Sequence, residues 1–166
     1  MAVASENFER NAVFSPNRRY RYLLTRRFGA GPSALFVMLN PSQADENVDD
    51  PTIRRCIGFA RREGFGKLEV ANLYGYRTSD PDELFNEDDP VGIENDIALE
   101  QAVIRADVVV VAWGNHADPG RTAEVSRILT SKSKNTVQCF GLTQHGQPRP
   151  PLYLPADAEL MAFLST

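Results

Sequence analysis

Cysteine and histidine are scarce in this chain of 166 residues, with only Cys56, Cys139, His116 and His145. Two cysteines cannot build a disulfide framework or a four-thiolate zinc site, so they are expected to be reduced, buried thiols inside a helix and a strand. No His-x-x-x-His, Cys-x-x-Cys, Gly-x-Gly-x-x-Gly, Gly-Lys-Ser or Gly-x-Ser-x-Gly occurs. That removes the usual designs of zinc, dinucleotide, nucleoside-triphosphate and serine-hydrolase sites, and neither metal nor cofactor is called for. Apolar runs stay far short of the roughly 20 residues a membrane span requires. The opening Met1-Ala2-Val3-Ala4-Ser5-Glu6-Asn7 has no basic or apolar leader pattern, which makes a cytoplasmic protein the default expectation.

What is present fits one domain, residues 1–166, with its core between about 13 and 164. The net charge of -4 hides an asymmetry. Residues 1–66 carry 10 Lys/Arg against 7 Asp/Glu, and residues 67–166 carry 8 against 15. An acidic total disfavours indiscriminate binding to long nucleic acid and favours a small or short ligand.

The chain alternates strand and helix signals. Val13-Phe14 and residues 20–28 read as an antiparallel hairpin bounded by Gly29-Ala30-Gly31-Pro32, and residues 34–39 as a buried strand. Asp50 caps a helix with Pro51 in its first turn, along which Ile53, Cys56, Ile57 and Ala60 recur at helical spacing. Residues 67–72 form the next strand, Asp80 or Pro81 starts a short helix reaching Phe85, and a longer helix is expected from Val91 to about Ala106. The continuous β-branched run in residues 107–114 is the clearest strand, as expected of one covered on both faces. A helix over 123–131, a strand over 136–140, a proline-rich turn and a final helix over 156–164 complete the reading. The sum is an α/β three-layer sandwich with a mainly parallel central sheet of about four strands plus an N-terminal antiparallel hairpin.

Parallel strands present their carboxyl ends to one edge of a sheet, where open α/β folds place ligands. Four polar stretches follow such ends: Asn40-Pro41-Ser42, Asn72-Leu73-Tyr74, Trp113-Gly114-Asn115-His116 and Thr143-Gln144-His145. They are expected to meet around one cleft, joined by Asp45, Asp49 and Asp50.

Met38-Leu39-Asn40-Pro41-Ser42, Asp49-Asp50-Pro51-Thr52-Ile53-Arg54-Arg55-Cys56, Val70-Ala71-Asn72-Leu73-Tyr74, Asp89-Pro90-Val91-Gly92-Ile93-Glu94-Asn95-Asp96, Ala112-Trp113-Gly114 and Gly141-Leu142-Thr143 resemble, in this order, the bacterial domain-of-unknown-function family 1643. That likeness covers roughly residues 20–160. More distantly, the arrangement is similar to the uracil-DNA glycosylase superfamily and implies its fold. Leu39-Asn40-Pro41 matches the motif whose Asp or Asn positions water, Asn72 the strand-end Asn that reads the base edge, and Val111 to Gly114 the apolar strand before the last crossover. Where the unknown-function family has a His-Pro-Leu-Tyr step, this chain reads Pro150-Pro151-Leu152-Tyr153, so a required histidine must come from His145.

Cleaving a bond between base and sugar passes through an oxocarbenium-like sugar, and calls for a water, a negative charge and a hydrogen bond to the departing base. Asn40 would orient the water, one of Asp45, Asp49 and Asp50 would supply charge, Asn72 would read the base and His145 or His116 would assist its departure. Pro41, Ser42, Tyr74, Trp113 and Asn115 would complete the binding surface, with Tyr74 or Phe36 stacking on the base and Arg54 and Arg55 as candidates for a phosphate. Each has a plainer role: Asn40-Pro41 as a turn, Asp49 and Asp50 as helix caps, the histidines as loop residues, Trp113 as packing, and Arg54, Arg55, Arg61 and Arg62 as a solvated helix face. The expectation is therefore an N-glycosidic-bond hydrolase acting on a nucleotide, nucleoside or short nucleic acid; the alternative is a non-catalytic nucleotide- or base-binding module.

Overall fold

The computed structural model describes residues 9–164; the opening stretch read above for a leader lies outside them. β1 (Arg10–Phe14) and β2 (Arg21–Arg27) form the expected hairpin. β3 (Ser33–Met38), β4 (Lys67–Asn72), β5 (Val108–Val111) and β6 (Val137–Cys139) are the parallel strands, and β7 (Met161–Leu164) lies antiparallel to β6. The seven form one sheet in the order β1-β2-β4-β3-β5-β6-β7. The sheet is larger than expected because the hairpin joins β4 through β2 and because β7 adds a strand at the opposite end.

Alternation along the central strands divides the core into two halves. Leu35, Val37, Ala71, Val109 and Val111 face α2 (Pro81–Asn86), α3 (Asn95–Arg105) and α4 (Pro119–Lys132), through Leu84, Leu99, Val103, Val125 and Leu129. Ala34, Phe36, Met38, Leu68, Val70 and Val110 face α1 (Pro51–Arg62), through Ile53, Cys56, Phe59 and Ala60. Helices on both faces make three layers. Each large apolar side chain buried this way contributes about 1.5–3 kcal/mol, and burial on both faces is why β3 and β5 read as unbroken apolar runs.

Three of the helices begin in the same way. Asp50, Asp80 and Asp118 each accept a backbone N–H with the side chain, and each precedes a proline. The proline brings a fixed φ to a position whose N–H has no helical partner. Because Asp118-Pro119 is such a start, α4 begins four residues before the expected Ala123.

The helix expected from Val91 begins only at Asn95. Gly92 has φ +90°, and a Cβ there would lie 2.8 Å from the Tyr20 ring and 2.9 Å from that of Tyr22. That close approach holds residues 91–94 in a loop. The final helix expected over 156–164 is not formed. Instead β7 exchanges ladder hydrogen bonds with β6, and its half-exposed side chains suit a sheet edge.

Candidate functional site

β3 pairs with β4 on one side and β5 on the other, so the connection reverses direction there. Crevices open at the carboxyl ends of such neighbouring strands. A cleft of about 300 Å³ lies at this point. The end of β3 supplies Met38 through Ser42, the end of β5 supplies Ala112, Trp113, Gly114 and His116, and α1 supplies Asp50, Thr52 and Ile53.

The outer wall is Pro150, Pro151, Leu152 and Tyr153, the last three a single 3₁₀ turn. Gly114 brings this wall close. At φ +73° its missing side chain leaves room for Pro150, whose Cγ would be 2.9 Å from a Cβ there, and its N–H donates to the Pro148 carbonyl at 2.8 Å. From the other side, Arg55 donates to the carbonyls of Pro151 (3.4 Å) and Leu154, and Arg62 to those of Ala156 (2.8 Å) and Ala158.

Most of the lining is apolar, and three of the polar groups in it are Asn40, Asp50 and Arg21. Asn40 donates its amide N–H groups to the carbonyls of Thr78 (2.8 Å), Pro41 (3.1 Å) and Tyr76 (3.4 Å), which pins the loop after β4 and leaves the amide oxygen as the group it can offer a ligand. Asp50 accepts from the N–H of Ile53 at 2.9 Å and of Ala44 at 3.2 Å. Arg21 is the third. Only 2% exposed, it donates through one terminal nitrogen to the Ala44 carbonyl at 3.1 Å, while its Nε finds no partner among the described residues. Burial pushes its pKa down to about 10, against an opposing pull from Asp50. Nothing in the sequence signalled Arg21. Its place follows from the pairing of β2 with the neighbouring strands, not from local pattern.

The expected residues divide unevenly. Asn40, Pro41, Ser42, Asp50, Trp113 and His116 come together at the cleft. Trp113 also packs edge-on against Phe163 and donates its indole N–H to Gln147 Oε1 at 2.9 Å, so it combines packing with lining. Asp45 instead caps its own turn, accepting the N–H groups of Asn47 and Val48 at 2.8 Å, and those bonds hold its carboxyl below the usual range. Asp49 pairs with Arg26 at 2.9 Å and Arg10 at 3.0 Å. Neither lines the cleft.

Asn72 is 1% exposed and, by alternation with Leu68 and Val70, lies on the α1 side of β4. It does not line the cleft, and both polar atoms of its side chain lack a partner among the described residues. Tyr74 lies in the opposite half of the core, its hydroxyl accepting the Asp118 N–H at 3.0 Å, and Phe36 packs against Phe140. His145 sits exposed on the turn from Thr143 to Gly146, and Asn115 accepts from the Thr143 hydroxyl at 2.7 Å; both lie away from the cleft lining. The Leu142–Pro148 bridge folds that loop back, so Pro150 to Tyr153 occupy the place expected of residues 143–145. Arg54 donates to the Asp49 carbonyl at 2.7 Å, Arg55 and Arg62 also lie over the Phe59 ring, and Arg61 lies over Phe28. This helix face braces the outer wall.

Among the described residues, no three His, Cys, Asp or Glu side chains are grouped to hold a metal ion, and no helix is long and apolar enough to cross a membrane. No curated protein and no solved structure matches the chain. A model of one family does, over residues 21–152. The chain therefore belongs to that family, described as a protein of unknown function, DUF1643.

Proposed function

We propose that the cleft binds a nucleobase-type ring carried by a nucleotide, nucleoside or short single strand. The observation that carries this reading is the buried Arg21 side chain in the lining of a cleft whose walls are otherwise mostly apolar. A cation in such a place favours a ligand acceptor such as an exocyclic carbonyl. Asn40 and Asp50 add acceptors for ring N–H groups, while Met38, Ile53, Trp113 and Pro150 suit the ring faces. The distant likeness to uracil-DNA glycosylases through Leu39-Asn40-Pro41 points the same way.

A second reading, hydrolysis of the N-glycosidic bond, is favoured by the presence of Asp50 and His116 on one cleft. Asp50 would stabilise the developing positive sugar, Asn40 would orient water, and His116, rather than His145, would hydrogen-bond the departing base.

The test offers purified protein a panel of free bases, nucleosides and base-modified oligonucleotides, following binding by calorimetry and released base by mass spectrometry. Binding that Arg21→Met abolishes, without base release, supports the binding reading. Release that Asp50→Asn and His116→Ala both suppress supports hydrolysis. No binding and no release by the folded protein overturns both.

A further inference from the structure

We infer that a second concavity, adjoining the cleft through Ser42, is a phosphate site. It encloses about 440 Å³ and its working residues are Arg18, Arg19, Arg77, Tyr76, Ser42 and Ser79. Ser42 lines both this groove and the cleft, so a ligand seated in one extends directly into the other.

The charge balance of the groove is uneven. Arg18 pairs with Glu46 at 3.0 Å and Arg19 with Glu87 at 3.6 Å, both pairs partly exposed and open to screening by salt. Arg77 has no carboxylate of the described residues within ion-pairing distance. Among the described residues it donates only to backbone carbonyls, those of Ser42 at 3.1 Å and Arg18 at 3.2 Å, which fix its guanidinium, and Asp45, beyond ion-pairing distance, offsets its charge only in part. The guanidinium carbons of Arg18 and Arg77 lie 3.8 Å and 4.8 Å from the centroid of one ring, that of Phe14. Two like charges gathered on one ring repel, and an anion beside them offsets that repulsion. Beside them, the hydroxyls of Ser42 and Ser79 are 2.7 Å apart.

Forked donors together with hydroxyls match the oxygens of a tetrahedral phosphate better than a single planar carboxylate. In a chain of net charge -4, such a positive island also attracts an anion locally without drawing in long nucleic acid. The phosphate assignment stands on the groove alone. Joined to the cleft, and resting there on the proposed ring ligand, it makes that ligand a phosphorylated one, with the ring beside Arg21 and the phosphate beside Arg77.

Two titrations test this, both followed by amide and Arg Nε NMR signals at constant ionic strength. Inorganic phosphate is expected to shift Ser42, Ser79 and Arg77 at millimolar concentration, and Arg77→Gln to weaken it about tenfold. Arg19→Gln, at a more exposed side chain that touches Tyr76 and Glu87 rather than Ser42, is expected to weaken it in the same direction. Among nucleosides and their 5′-monophosphates, the phosphorylated member is expected to bind at least tenfold more tightly, an advantage that Arg77→Gln removes, the loss of affinity falling on the monophosphate more than on the nucleoside. Absence of phosphate shifts at these residues overturns the groove inference even if nucleosides bind. Phosphate shifts with no nucleoside or nucleotide binding uphold the groove and overturn the ring reading of the cleft.

Discussion

Asn72→Leu is expected to make the protein more stable. The Asn72 amide is buried, and neither of its polar atoms has a hydrogen-bond partner among the described residues. A buried amide without a partner costs about 1–3 kcal/mol by the measure of protein variants. Leucine has the same number and branching of side-chain heavy atoms, although its methyl groups are bulkier, and places apolar surface beside Leu68, Val70 and Met38 on the same face of the sheet. For a domain of this size each kcal/mol moves the melting temperature by about 2–4 °C, so the variant is expected to melt about 2–12 °C higher. Urea denaturation followed by circular dichroism would report the same gain with an unchanged slope. A loss of more than about 1 kcal/mol, seen also for the smaller Asn72→Ala, would show that the amide is satisfied in solution and would refute the reasoning. The same variant has a second readout. Because Asn72 does not line the cleft, ligand binding there is expected to be unaffected; binding lost from a stable variant would instead restore Asn72 as a reader of the base edge.

Arg121→Ala is expected to lower the melting temperature by about 3–12 °C, checked by calorimetry. Asp96 and Glu124 are half-exposed and lose little, so the cost of about 1.5–3 kcal/mol comes from the buried bond of Nε to the Leu73 carbonyl at 2.8 Å. Burial pushes both thiols up, so Ellman's reagent is expected to find no reactive cysteine in the native protein and both after denaturation; rapid native reaction would contradict their burial. Asp107 is held below 3.8 chiefly by the N–H of Ser33 at 2.9 Å. Its contribution, about 1 kcal/mol or less, is fully present above that value and is lost as pH falls through the folded pKa. Asp107→Ala is thus expected to be less stable than the wild type at pH 7 and equal to it in strong acid, as measured by urea titration across pH.

Local chemistry explains which elements were legible. The Val108 to Val111 run and the Asp50-Pro51 cap carry their structure within a few residues, and both form as expected. Residues 161–164 carry no such mark. Met161, Phe163 and Leu164 satisfy a helical or a strand spacing equally, and only the open edge of β6 decides between them. Likewise, the loops after β3 and β5 meet at one cleft because strand direction alone sends them to one edge. Arg21, the wall from Pro150 to Tyr153 and the Arg18–Arg77 groove depend on contacts between segments distant in sequence, for which no local periodicity exists. His145 was expected at the cleft because it follows β6, but the bridge between Leu142 and Pro148 turns that loop aside.

The outer wall also has a consequence for biosynthesis. Ribosomes add about 5–20 residues per second, so roughly 2–8 s separate the emergence of Gly114 from that of Leu154. During that interval Met38, Ile53 and Trp113 are already made, while the segment that later covers them is not. The nascent protein therefore exposes an oily depression before it can close it, and translation pausing after β5 would lengthen that exposure.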